Sequence, residues 1–220
     1  MPHTNPDVAL LVFAKAPRPG AVKTRLVPLL GAEGAAALHR RLTVRTLAAA
    51  RDSALGEIEL HAAPDCDDPF LTACAHEYGA RLVPQVAGDL GTRMAAALEA
   101  ALSRSARAIL VGTDCPVLTP HHLHQANSAL RDADAVLVPT EDGGYALVGL
   151  ARHDARLFSG IHWGTERVMD ETRTRLTELG WRWRELETLW DVDRPADYQR
   201  LQALAINAGP LSDSPAETGS

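Results

Sequence analysis

Cysteine is scarce in this 220-residue chain: Cys66, Cys74 and Cys115, an odd number with no CxxC pair. That argues against a disulfide framework and for a reduced, cytoplasmic setting. No apolar run approaches the ~18–20 residues needed to span a bilayer, so no membrane partner is expected. The amino-terminal MPHTNPD lacks the charged start and apolar middle of a signal peptide. Basic charge is not in excess either. The formal net charge of −6 speaks against a general nucleic-acid binder, which would carry a basic face. The P-loop pattern GxxxxGK[ST] is missing as well.

What is present is the composition of an ordinary globular chain, long enough for one domain with a substantial core. Apolar runs at Val8–Ala14, Ile58–Ala63, Arg81–Pro84, Ala108–Gly112, Ala135–Pro139 and Tyr145–Leu150 alternate with helical segments. The helices are expected at about Gly34–Ser53, Pro69–Tyr78, Thr92–Ser103, Pro120–Leu130 and Glu166–Leu179, with a last one opened by Asp193-Arg-Pro195. Thr119 and Thr165 read as N-caps, and Gly180 as a stop. Strand–helix alternation predicts an α/β fold with a mostly parallel sheet sandwiched by helices. Runs such as AILVG and AVLVP are apolar throughout, as strands covered on both faces require. No repeat or linker divides residues 1–206, read as a single domain, and the Gly/Ser/Pro-rich stretch 207–220 reads as a disordered tail.

In an open α/β sheet, ligands bind beyond the carboxyl ends of the strands, so the segment after each strand matters. After the first comes FAKAPRPGAVKTRL, where Lys15, Arg18, Lys23 and Arg25 stand among Pro17, Pro19 and Gly20. Dense positive charge on a loop shaped by glycine and proline suits a polyphosphate, with Lys23 and Arg25 best placed for β- and γ-phosphates. After the fourth strand, Asp114 in GTDCP can hold a hard divalent cation such as Mg²⁺ or Mn²⁺. Asp191 and Asp193, two apart, can complete that coordination if the chain is extended, although Asp193 also suits a helix N-cap.

Gly88, Asp89 and Arg93 in GDLGTRM allow close approach to a phosphate or base, or a helix cap at Asp89 or Thr92. Asp142, Gly143, Gly144 and Tyr145 in EDGGY read as a hairpin turn or as contacts to an acceptor. His162 and Trp163 offer a titratable group and an aromatic wall on the same side. His121, His122 and His124 read as a solvated helix start, Cys115 as inert, and Trp181, Trp183 and Trp190 as packing residues.

In order, FAKAPRPGAVKTRL, GDLGTRM, GTDCPVL, PTEDGGYALVGL and WDVDRPADYQRL resemble a family of glycosyltransferase-A-type proteins. Its members are named as glycosyltransferases or nucleotide-diphospho-sugar transferases, some associated with arsenosugar biosynthesis. More remotely, the chain is similar to phospholactate and molybdenum-cofactor guanylyltransferases, although proline replaces much of their glycine-rich first loop. The resemblance covers residues 8–204. It implies a Rossmann-like nucleotide-diphospho-sugar transferase fold, a nucleotide in the cleft, and a divalent metal on Asp114 with Asp191 and Asp193. It also places Lys15, Lys23 and Arg25 in the nucleotide-phosphate loop.

Two enzymatic readings follow. The first is a nucleotidyltransferase moving a nucleoside monophosphate from a triphosphate to a small phosphorylated acceptor, with Lys23, Arg25 and Asp114 catalytic. The alternative is a glycosyltransferase passing a sugar from a nucleotide diphosphate to a small acceptor. A nucleotide-binding protein without turnover is the third reading. The partners expected are the nucleotide or nucleotide sugar, the acceptor and, at most, a second copy of the chain.

Overall fold

The computed structural model describes residues 7–204; the tail expected at 207–220 lies outside them. Seven strands form one sheet among the described residues: β1 Val8–Lys15, β2 Glu57–Ala63, β3 Arg81–Pro84, β4 Arg107–Gly112, β5 Ala135–Pro139, β6 Tyr145–Leu150 and β7 Trp183–Glu185. Their order is β3-β2-β1-β4-β6-β5-β7. All neighbours are parallel except β6, which runs antiparallel to both β4 and β5. The fold is the expected α/β one, a mostly parallel sheet flanked by helices.

The helices are α1 Val27–Ser53, α2 Pro69–Glu77, α3 Leu90–Leu102, α4 Pro120–Ala129, α5 Val168–Glu178 and α6 Pro195–Ala203. Strand β1 shows why its run is unbroken by polar residues. Val8, Leu10 and Val12 face a layer built from α1, α2 and α4, whereas Ala9, Leu11 and Phe13 face α3 and α5. Each fully buried leucine or valine of this kind contributes about 1.5–3 kcal/mol. A third, smaller core of Leu26, Leu38, Leu42, Trp190, Val192 and Leu201 ties the start of α1 to the segment before α6.

Several local expectations are corrected. β7 was not anticipated, because Trp-Arg-Glu is a short, partly exposed edge strand without an apolar run. α1 begins at Val27 rather than near Gly34, with Pro28 in its first turn and a kink at Gly31 (φ 71°, ψ 168°), a backbone state glycine adopts without strain. Thr165 does not cap α5. Its hydroxyl donates to His162 O at 2.7 Å within the preceding turn, and the helix starts at Val168 after Arg167.

Asp193 is not the N-cap of α6 either. Arg194 holds that position, and the Asp197 carboxylate accepts from the Asp193 and Arg194 N–H groups at 3.1 and 2.7 Å. Asp193 is thereby released for other contacts. His122 is buried rather than solvated: its ring accepts from the Thr119 N–H and meets Glu187 at 2.7 Å. Trp181 and Trp190 are buried packing residues, as expected.

Candidate active site

The strand order reverses between β1 and β4. From β1 the chain moves outward to β2 and β3, then returns to β4 on the other side, which leaves a crevice beyond the carboxyl ends of these two strands. Phe13 and Gly112 are register partners at that edge. Because β6 is antiparallel, the β5–β6 turn opens at the same edge. The segment after β7 reaches it too, through a bridge between Thr140 and Leu189. A cleft of about 700 Å³ lies where these segments meet, within the usual size of small-molecule sites.

The cleft gathers Lys15, Lys23, Arg25, Gly88, Asp89, Arg93, Asp114, Asp142, Gly144, Tyr145, Trp163, Asp191 and Asp193. Four sequence candidates do not line it. Pro17 is buried in the loop and Gly20 is exposed on it. Gly143 (φ 87°) forms the β5–β6 turn against the Glu166 backbone, where no Cβ would fit. His162 is exposed and held by Glu171, whose carboxylate accepts from the His162 N–H at 2.7 Å and meets Nδ1 at 2.9 Å. Arg18 also turns away, toward Asp65 at 3.3 Å.

Lys23 is the hub. Its side chain is only 3% exposed, and its Nζ stands 2.5 Å from Asp114 Oδ1 and 3.0 Å from Asp193 Oδ1. Burial disfavours the ammonium, but Asp114 and Asp193 outweigh it and raise the pKa. The backbone of Lys23 is left-handed (φ 47°, ψ 40°), a state uncommon outside glycine. For Asp114, burial pushes the carboxyl up, yet the Lys23 contact more than compensates and holds it below its usual value. Arg25 reaches Asp193 at 3.5 Å from the exposed side.

Asp191 has no such partner. Val192 is fully buried and donates its N–H to Asp114 O at 2.9 Å, so Asp191 and Asp193 flank it and both line the cleft. Asp191 Oδ1 is buried without a hydrogen-bond partner. Burial, then Asp114 and Asp142, push its carboxyl up to about 8. A carboxylate placed among other carboxylates in this way is short of a cation.

Among the described residues, no group of three His, Cys, Asp or Glu side chains is placed to hold a metal ion. Mg²⁺ does not need three, since it binds through one or two carboxylates together with waters and substrate phosphates. Asp191, which has no partner, and Asp114, which Lys23 alone engages, fit that role better than Asp193, which both Lys23 and Arg25 engage.

Other candidates are partly committed to structure. Asp89 caps α3 by accepting the Thr92 N–H at 2.8 Å, and Arg93 Nε donates to Gly88 O at 2.9 Å. Asp142 Oδ1 accepts from the Thr140 hydroxyl and the Gly144 N–H at 2.6 and 3.1 Å, which shapes the turn. Tyr145 and Trp163 meet edge to face, their centroids 6.4 Å apart, and form the aromatic wall. Cys115 is buried, which pushes its thiol up to about 12, so it is no nucleophile at neutral pH.

Sequence reasoning missed His39. It lies on α1 and is buried, yet it lines the cleft. Its Nε2 must donate to Lys15 O at 3.0 Å, because a carbonyl only accepts. That leaves Nδ1 without a partner, and burial lowers the pKa of the ring. Gln85 was missed too. Its Nε2 donates to His61 O at 2.8 Å beside Ala14 at the end of β1. Neither belongs to a local motif; their contacts reach 24 residues or more along the chain.

The family described as "Uncharacterized protein conserved in bacteria (DUF2064)" matches residues 46–165, more than half the chain, and the chain belongs to it. Asp114 and Asp142 fall inside the matched segment, while the basic loop and Asp191 fall outside. No curated protein matches the sequence. Among solved structures, a "putative nucleotide-diphospho-sugar transferase" from Desulfovibrio desulfuricans G20 is similar, with 29% identity and a TM-score of 0.81 over 89% of this chain and 86% of that one. CMP:2-keto-3-deoxy-manno-octonic acid synthetase complexed with CTP shares the fold at 12% identity and a TM-score of 0.55, over 90% and 98% of the two chains. So does Rv0371c of Mycobacterium tuberculosis H37Rv in complex with manganese, at 20% identity and a TM-score of 0.51, over 89% and 97%.

Proposed function

We propose that this member of the family is a divalent-metal-dependent nucleotidyltransferase. It would move a nucleoside monophosphate from a nucleoside triphosphate to a small phosphorylated acceptor. The observation that carries this reading is one cleft lined by Lys15, Lys23, Arg25 and Arg93 together with Asp114 and Asp191. Several cations beside a carboxylate that has no partner, Asp191, suit a polyphosphate carrying a metal ion. The solved structures that share the fold include one complexed with CTP and one with manganese, which is consistent with this use of the scaffold.

In this mechanism an acceptor phosphate oxygen attacks the α-phosphorus, the α–β anhydride bond breaks, and pyrophosphate leaves with the electron pair. Lys23 and Arg25 neutralise the leaving pyrophosphate, and Lys15 and Arg93 orient the triphosphate. A bound Mg²⁺ would supply Lewis-acid stabilisation of charge on the phosphoryl oxygens. Asp114 and Asp191 would hold it. His39 fixes the end of β1 through Lys15 O and so sets where the loop begins. Tyr145 and Trp163 form the acceptor wall, and Asp142 holds the turn that carries Tyr145. Catalysis of this kind is mainly positioning and charge neutralisation.

A glycosyltransferase reading has one specific observation in its favour: the similarity to the Desulfovibrio chain, whose description names a nucleotide-diphospho-sugar. A thermal-stabilisation screen with nucleoside triphosphates and nucleotide sugars, each with and without Mg²⁺ or Mn²⁺, separates the two. We expect the largest Mg²⁺-dependent stabilisation from a triphosphate, together with pyrophosphate release once an acceptor is supplied. Stabilisation by nucleotide sugars alone would replace this reading with the second.

A further inference from the structure

Of the chain's 22 lysines and arginines, only Lys15 and Lys23 are lysines, and both line the cleft. Everywhere else the basic residue is arginine, whose planar fork holds a carboxylate at two points. A lysine is a compact charge on a flexible stem and can exchange one oxygen partner for another. Lys23 lines the cleft between Asp114 and Asp193 with its side chain buried. Its left-handed backbone is held in place by Val22 and Leu26, both buried on either side, and by the Leu26 N–H donating to Lys23 O at 2.8 Å. The local chain thus aims one ammonium at the carboxylates that would otherwise take a metal.

We propose that Lys23 is the resident counter-ion of this carboxylate site, and that a divalent cation binds only by displacing its ammonium from Asp114. The inference rests on the nucleotide-transferase reading and adds an order to it. An ammonium 2.5 Å from Asp114 Oδ1 and a divalent cation on the same carboxylate repel each other, so the metal alone binds weakly. A polyphosphate in the cleft offers Lys23 a second anionic partner and frees Asp114. The ligand taken up is therefore the metal–polyphosphate complex, and by linkage each component strengthens the binding of the other.

The test uses Mn²⁺ alone as probe, with free Mn²⁺ read by electron paramagnetic resonance on the full chain without nucleotide. Lys23→Met and Lys23→Gln, checked for folding by circular dichroism, are expected to bind Mn²⁺ about tenfold or more tightly than wild type. Equal or weaker binding by the folded variants overturns the proposal. A second measurement needs no variant. Reductive methylation followed by mass spectrometry compares Lys23 with Lys15, the only other lysine. Lys23 is expected to be protected in the metal-free protein and to become labelled as Mn²⁺ saturates the site, while Lys15 reacts alike in both. Protection of Lys23 that persists at saturating Mn²⁺ contradicts the displacement. Neither readout involves a nucleotide, so they decide the role of Lys23 even if the stabilisation screen finds no nucleotide bound.

Discussion

Replacing Asp191 by Asn should make the metal-free protein more stable, and increasingly so as pH rises. In the folded chain burial and the neighbouring carboxylates keep Asp191 protonated up to about pH 8. In the unfolded chain it ionises near ~3.9. Between those values the folded state binds more protons than the unfolded one, so this group makes stability fall with rising pH, by up to ~1.4 kcal/mol per unit. Over about four units the ceiling is ~5–6 kcal/mol. The cleft is open to water, and relaxation there brings the expected effect down to about 2–3 kcal/mol at pH 8.

Asn has nearly the shape of Asp and no charge to bury. We expect Asp191→Asn to melt with wild type near pH 4.5 and about 5–10 °C above it at pH 8, at roughly 2–4 °C per kcal/mol for a chain of this size. Melting curves in EDTA across pH 4.5–8 provide the assay. Mg²⁺ added together with a nucleoside triphosphate should then stabilise wild type but not the variant, a trade of function for stability. Parallel pH profiles for the two proteins would refute the burial argument and remove Asp191 from the metal site.

Three further outcomes are expected. Arg25→Ala should change stability by under ~0.5 kcal/mol, since its bridge to Asp193 is exposed, yet weaken triphosphate binding in calorimetry by about tenfold; unchanged affinity would take Arg25 out of the phosphate site. Leu26→Ala should cost ~2–4 kcal/mol in urea unfolding by opening a cavity in the small core that holds Val192, and should weaken metal binding as well. Trp163→Ala should raise the KM for acceptor and leave nucleotide affinity within about twofold, because it removes only the aromatic wall; a loss of nucleotide binding would move the nucleotide to that end of the cleft.

The fold was legible because its strands are apolar on both faces. Runs such as Ala108–Gly112 can only be buried between helices, and the alternation with helical segments dictates the layering. β7 escaped because Trp183–Glu185 is held by pairing to β5 rather than by its own pattern. At the site, residue types at strand ends pointed to carboxylates and cations that line one cleft, Asp191 and Asp193 among them.

The pairing among those residues was not legible. The contact of Lys23 with Asp193 spans 170 positions, and nothing local in Val-Lys-Thr signals a buried ammonium. Asp193 looked like a helix cap because Asp197, which does that work, lies past the proline. His39 stood in a helical stretch, and its value comes only from Lys15 O across the β1–α1 contact.

The most direct measurement is calorimetric titration of a nucleoside triphosphate into wild type and Asp114→Ala, each in Mg²⁺ and in EDTA. The account predicts one-to-one binding to wild type that depends on Mg²⁺ and is lost in the variant. Binding that survives both the substitution and the chelator would contradict it.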